Sequence, residues 1–155
     1  MADDTPHTDQ TANDTLPIEY SAIKGKKILI VEDDRFLHSL IGDKLSKAEA
    51  ELIAAFDGET GLEKATEERP DIILLDILLP GIDGFEVLRK IKEDPELKDI
   101  PVIILSNLGQ EDDIKKGTEL GAEEFLIKAN FTLEDILKKI NEVLRGAGGD
   151  AEQQA

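Results

Sequence analysis

The chain contains no cysteine, which excludes disulfides, cysteine nucleophiles and thiolate metal sites and fits a reducing compartment. It has no apolar run approaching the roughly 18 residues of a membrane span. Its first twenty residues, MADDTPHTDQTANDTLPIEY, are polar and acidic and do not read as a signal peptide. Basic residues are scarce: 18 Lys and Arg stand against 35 Asp and Glu, for a net charge of −17. Binding to a phosphate backbone needs clustered cations, so direct contact with nucleic acid is not expected. No GxGxxG follows a strand, which removes the dinucleotide signal. These absences lead us to expect a cytoplasmic protein that binds neither membrane nor nucleic acid.

What is present is alternation. Residues 1–23, rich in Asp, Thr and Pro, read as a disordered acidic tail, and 146–155 (GAGGDAEQQA) as a flexible tail. Between them, 24–145 forms one domain, long enough to bury about two-thirds of its unfolded surface without staples. Short apolar runs at Lys27–Glu32, Leu52–Phe56, Asp71–Asp76, Pro101–Leu105 and Glu124–Lys128 have strand length. Each is followed by a stretch of helical period, at 35–48, 58–68, 84–93, 111–120 and 133–145. In the last, Leu133, Ile136, Leu137, Ile140, Val143 and Leu144 share one face, and Thr132 with Asp135 resembles a capping box. Near-continuous apolar strands separated by helices indicate a parallel sheet buried on both faces. The chain is too short for an eight-fold barrel, so the expected fold is a doubly wound, flavodoxin-like five-stranded parallel sheet of order 2-1-3-4-5.

In such a sheet, ligands bind beyond the carboxyl ends of the strands where the strand order reverses. The first strand ends in Glu32 and Asp33, the third in Asp76, the fourth at Ser106 and the fifth at Lys128. Asp76 is otherwise hard to explain, because it interrupts the apolar run DIILLDILL and an unpaired buried carboxylate is costly. Three converging carboxylates call for protonation or a cation. An oxygen-only set favours Mg²⁺. A carboxylate beside Mg²⁺, facing Lys and Ser, is suited to accept a phosphoryl group. Asp34 and Asp83 read as helix caps, and His38 as half-exposed packing on the first helix.

The residues VEDD at 31–34, LLDILLPGIDG at 74–84, ILSN at 104–107 and LIKA at 126–129 resemble the receiver domain of bacterial response regulators, over about 25–145. The resemblance implies that Asp76 is the phosphoacceptor for a phosphohistidine on a histidine kinase or phosphotransfer protein. It implies that Asp33 ligates Mg²⁺ directly and Glu32 largely through water, with a main-chain carbonyl from Ile77 or its neighbour Leu78. Ser106 becomes the hydroxyl that swings onto the phosphoryl group, Lys128 its cationic partner, and Phe125 the aromatic that turns inward with it. The family usually has proline after the lysine, often with a cis bond; Ala129 stands here, so a trans peptide is expected. Leu78 and Leu108 are apolar where many relatives are polar, which implies slow loss of the phosphoryl group. The fourth helix, with only Ile114 and Leu120 as large anchors, is expected to be weakly held and movable.

The expected function is a stand-alone phosphorylation-controlled switch with output through protein contacts, not an enzyme beyond assisting its own phosphorylation and dephosphorylation. Two other readings differ in kind. A pseudo-receiver would bind partners without phosphorylation. A phosphatase of the haloacid dehalogenase type would need DxD, and position 78 is Leu.

Overall fold

The computed structural model describes residues 20–154, with side chains as far as Gly146. Five strands alternate with five helices: β1 (Lys27–Val31), α1 (Arg35–Lys47), β2 (Glu51–Ala55), α2 (Gly58–Glu68), β3 (Ile72–Leu75), α3 (Gly84–Glu93), β4 (Val102–Ser106), α4 (Glu111–Glu119), β5 (Glu124–Ile127) and α5 (Leu133–Gln154). A single 3₁₀ turn, Lys128–Asn130, links β5 to α5. The strands form one parallel sheet in the order β2-β1-β3-β4-β5, as the alternation predicts.

Side chains alternate across each strand, so neighbouring residues feed opposite faces. Ile28, Ile30, Ile72, Leu74, Ile103 and Leu105 pack with Ile41 and Leu45 of α1 and Ile136, Leu137 and Ile140 of α5. Leu29, Val31, Ile73, Leu75 and Ile104 pack with Ala65 of α2 and Val87, Leu88 and Ile91 of α3. Every residue of β3 and β4 is buried. A strand pair covered on both faces cannot shift register without exposing its apolar side chains, and this fixes where Asp76 and Ser106 emerge.

Helix starts are marked by acid caps. Asp34 accepts from Leu37 N–H at 3.1 Å, Asp57 from Thr60 N–H at 2.7 Å and Asp83 from Glu86 N–H at 3.0 Å. Thr132 and Asp135 bond reciprocally, backbone to side chain, at 3.0 and 3.1 Å, which completes the expected capping box at α5. The start of α4 lacks a side-chain cap at Gln110, and Gly117 is its one buried residue. That agrees with weak anchoring.

Three expectations change. The tail assigned to 1–23 lies outside the described residues up to 19, but Tyr20 and Ile23 are buried in the core, so the folded body does not begin at 24. Their two large apolar side chains sit in a polar neighbourhood of sequence, too few to register as periodicity. At the other end, α5 continues through Gln154 instead of ending at 145; glycine costs a helix only about 1 kcal/mol each, and no proline stops it. His38 is buried, not half-exposed, with its Nε2 3.2 Å from the Ile30 carbonyl oxygen and its ring 4.7 Å from that of Phe56.

Candidate functional site

The register that aligns β1, β3 and β4 brings Glu32, Asp33 and Asp76 together at the carboxyl edge of the sheet. Ligating oxygens of the three lie within 4.8 Å of one another. Glu32 and Asp76 are 3% and 4% exposed, while Asp33 is open to solvent, so the cluster has a buried floor and an accessible rim. Lys128, just past β5, reaches across β4 to close the group. Its Nζ lies 2.8 Å from Glu32 Oε1 and 3.0 Å from Asp76 Oδ2. The cation that Asp76 demanded is therefore Lys128.

Charge decides the state of these groups. Burial pushes the Glu32 carboxyl up, and the Asp76 charge adds to this; the hydrogen bonds from Lys128 and the Asp34 N–H (2.9 Å) pull the other way without cancelling it. Burial alone would push the Lys128 ammonium down, but hydrogen bonds to Glu32 and Asp76 outweigh it and hold the ammonium above its ordinary range. Three carboxylates facing one ammonium leave negative charge uncompensated at a site made of oxygens. Such a set suits a hard divalent cation, Mg²⁺ above all.

Of the two carbonyls expected beside the metal, that of Ile77 is already engaged. The Ile77 oxygen already accepts from Leu79 N–H at 3.1 Å and Gly84 N–H at 2.8 Å, which uses both of its lone pairs. The Leu78 N–H donates to Asp76 Oδ1 at 3.2 Å, which ties the loop after β3 to the carboxylate. Gly84 has a role that sequence reasoning assigned only to a helix start. A Cβ there would sit 2.2 Å from the Asp76 carbonyl oxygen and 2.6 Å from the Ile77 Cα. Any side chain would displace the backbone that aims Asp76. The available signal was a glycine at the first position of an amphipathic helix.

Ser106 is fully buried at the end of β4, and its Oγ accepts from Leu108 N–H at 3.2 Å. The hydroxyl is thus at the site's edge but bonded to its own loop. Phe125 is half-buried on β5 and packs against Gly117 of α4, where a Cβ would lie 2.9 Å from the ring. The peptides around Ala129 are trans, and among the described residues no cis bond occurs. Even so, Lys128 reaches both carboxylates. His38 faces the β1 backbone and stands outside the cluster.

Residues 28–141 match the response regulator receiver domain family. The chain belongs to that family. It is similar to the response regulator PleD of Caulobacter vibrioides, 43% identical over 102 residues that make up 66% of this chain and 22% of PleD. It is also similar to RpaA of Synechocystis, a DNA-binding dual master transcriptional regulator, 37% identical over 77% of this chain and 49% of RpaA. The chain therefore spans about half, or less, of the length of these curated relatives. Among solved structures, the phosphorylated cyanobacterial phytochrome response regulator RcpA is 37% identical with a TM-score of 0.66, over 79% of this chain and 92% of that one. A CheY-like receiver from Methanospirillum hungatei is 26% identical with a TM-score of 0.76, over 82% and 99%. The Mn²⁺-bound form of response regulator Rcp1 is 34% identical with a TM-score of 0.67, over 78% and 92%. This receiver domain thus belongs to two-component signalling, and its acidic cluster lies at the sheet edge where the fold binds ligands.

Proposed function

We propose that this receiver domain is a switch thrown by phosphorylation of Asp76. The observation that carries the reading is the ammonium of Lys128 bridging Glu32 and Asp76, with Asp33 alongside. Glu32, Asp33, Asp76 and the Leu78 carbonyl would hold Mg²⁺, and bound there the ion would neutralise charge developing on the transferring phosphoryl group. A partner histidine kinase or phosphotransfer protein presents the phosphohistidine. An oxygen of the Asp76 carboxylate forms the new O–P bond as the N–P bond breaks, and the bonding pair leaves with the imidazole nitrogen. Lys128 stays beside the acyl phosphate and exchanges its bond to Asp76 Oδ2 for one to a phosphoryl oxygen. Ser106 exchanges its bond with Leu108 N–H for one donated to the phosphoryl group. Phe125, packed against Gly117 of α4, turns inward with the Ser106 hydroxyl, and α4, with Gly117 its one buried residue, is the element to move.

In this reading the domain is not an enzyme; it positions and neutralises its own phosphoacceptor. Its output passes through protein contacts at the face of α4, β5 and α5. The strongly acidic surface gives direct nucleic-acid contact no basis. No helix among the described residues is long and apolar enough to cross a membrane. A partner-binding pseudo-receiver is disfavoured because carboxylates, lysine and hydroxyl are all retained.

The test is intact-protein mass after incubation with acetyl phosphate, with and without Mg²⁺, for wild type and Asp76→Asn. A Mg²⁺-dependent gain of one phosphoryl group, absent in the variant, is expected; no gain in the wild type, even with phosphorylated kinases, would overturn the reading. Leu78 at the rim and half-buried Leu108 keep attacking water from the acyl phosphate, so slow hydrolysis is expected. A half-life of only seconds for the isolated phosphoprotein would contradict that.

A further inference from the structure

Residues 20–25 precede the receiver match, which begins at Ile28, yet they are built into the fold. Ile23 is fully buried and Tyr20 6% exposed, in the same apolar cluster as α1 and α5. The Ala22 N–H donates to Asn141 Oδ1 at 3.0 Å, and Asn141 is itself buried on α5. Gly25, at φ +77°, turns the segment into β1 and donates to the Glu49 carbonyl at 2.9 Å. At the other end of the segment, the Tyr20 hydroxyl donates to Glu134 Oε1 at 2.7 Å. Lys44 of α1 donates to Glu134 Oε2 at 3.0 Å. Both oxygens of one carboxylate in the first turn of α5 are thereby clipped to two other parts of the chain.

The place of that clip gives it meaning. Glu134 follows Lys128 across one 3₁₀ turn and the capping Thr132. The intervening loop has Ala129 where a ring would restrain φ, and Ala129 and Asn130 are exposed. On one side the loop is held by β5, where Ile127 pairs with Ser106. On the other side it is held wherever α5 begins. The Lys44–Glu134 pair is half-exposed and worth little as stability, so geometry is what it contributes.

We propose that the Tyr20–Glu134–Lys44 clip is a positioning device for Lys128: it fixes the start of α5 and, through the 128–132 loop, the ammonium between Glu32 and Asp76. Its consequence for phosphoryl transfer rests on the function proposed above; its consequence for the lysine does not.

Two readouts on the full chain separate these. The first is the ¹H–¹⁵N signal of the Lys128 ammonium, assigned by its loss in Lys128→Met. The second is the rate of Mg²⁺-dependent phosphorylation by acetyl phosphate. Tyr20→Phe keeps the ring in the core and removes only the hydroxyl. It is expected to shift or broaden the Lys128 signal and to slow phosphorylation roughly three- to tenfold, the scale of one hydrogen bond's net contribution. Glu134→Gln, which keeps an acceptor for Tyr20 and loses the charge facing Lys44, should shift the signal the same way by less. Lys24→Ala, which breaks only the exposed Lys24–Glu49 pair of the same segment, should leave both readouts unchanged. A wild-type Lys128 signal in Tyr20→Phe overturns the clip. A moved signal with an unchanged rate overturns its part in transfer. If wild type takes no phosphoryl group, the function reading fails while the ammonium signal still decides the clip.

Discussion

Lys128 and Lys92 stand near opposite edges of the sheet, both half-buried, and each satisfies its ammonium differently. Lys92, near the end of α3, donates to the carbonyls of Lys98 and Ile100 at 3.0 and 2.9 Å, just ahead of β4. Its stem packs on Gly121, where a Cβ would lie 3.2 Å from the lysine Cγ. Among the described residues no carboxylate pairs with it directly, and burial pushes its pKa down despite the charges of Glu123 and Asp99. Lys128 meets two ionisable partners and is pushed up. One lysine ties a loop to a helix through neutral acceptors. The other holds apart two carboxylates whose charge would otherwise be intolerable at their burial. Concentrated charge is retained where chemistry uses it and avoided where only structure is needed.

The sharpest way to break this contrast is the same substitution at both ends. Lys128→Met removes the cation that bridges Glu32 and Asp76, and phosphorylation by acetyl phosphate is expected to slow about 100-fold, the size typical of losing one charge-stabilising donor. Lys92→Met should leave that rate within a factor of about two while lowering stability by about 1 kcal/mol, from two lost hydrogen bonds re-formed in part with water. Phosphorylation kinetics and denaturant midpoints measured in parallel check both; an equal effect on rate would erase the distinction between the two edges.

The next effect is on stability at the site itself. The folded-state pKa of Glu32 is raised, so its ionised form is a burden on the fold at neutral pH. Glu32→Gln keeps the shape and is expected to stabilise the protein by about 1 kcal/mol at pH 7, while weakening Mg²⁺ binding. The sign of the pH dependence follows from linkage. A group whose folded pKa lies above its unfolded value favours folding most below the unfolded value, near 4.5, and loses that contribution as pH rises through the folded one. The advantage of Glu32→Gln over wild type should therefore shrink as pH falls from 7 toward 4.5. A gap that widens on acidification would contradict the raised pKa.

The smallest effect lies at Glu134, where hydrogen bonds from Tyr20 and then Lys44 hold the carboxyl below its ordinary value. Here the sign reverses: the contribution is present above the ordinary value of 4.5 and is lost as pH falls through the folded one. The stability difference between wild type and Tyr20→Phe, tracked by thermal melts from pH 7 to 3, should narrow at the acid end. A difference that is constant in pH would place the effect of the hydroxyl elsewhere.

Much of this molecule was determined by residues close together in sequence. Apolar runs of strand length alternating with helical periods specify a parallel doubly wound sheet, because each run can bury both faces only between helices. The acid caps at Asp34 and Asp83 and the Thr132–Asp135 box are local bonds, so they too were legible. Polar groups at the ends of four strands mark the site in the sequence itself. What depended on long-range approach was not legible. Lys128 was expected at the same sheet edge as Asp76, but its direct bonds to both Glu32 and Asp76 depend on register and burial, which no local pattern encodes. The spent lone pairs of Ile77 and the contact of Gly84 with the Asp76 backbone arise where a loop folds back on itself. The burial of His38 and the docking of Tyr20 and Ile23 against α5 depend on surfaces supplied by distant segments. Sequence determined where each functional group leaves the sheet. Tertiary packing decided which groups touch, because hydrogen bonds and ion pairs act over a few Å between atoms that the chain itself holds far apart.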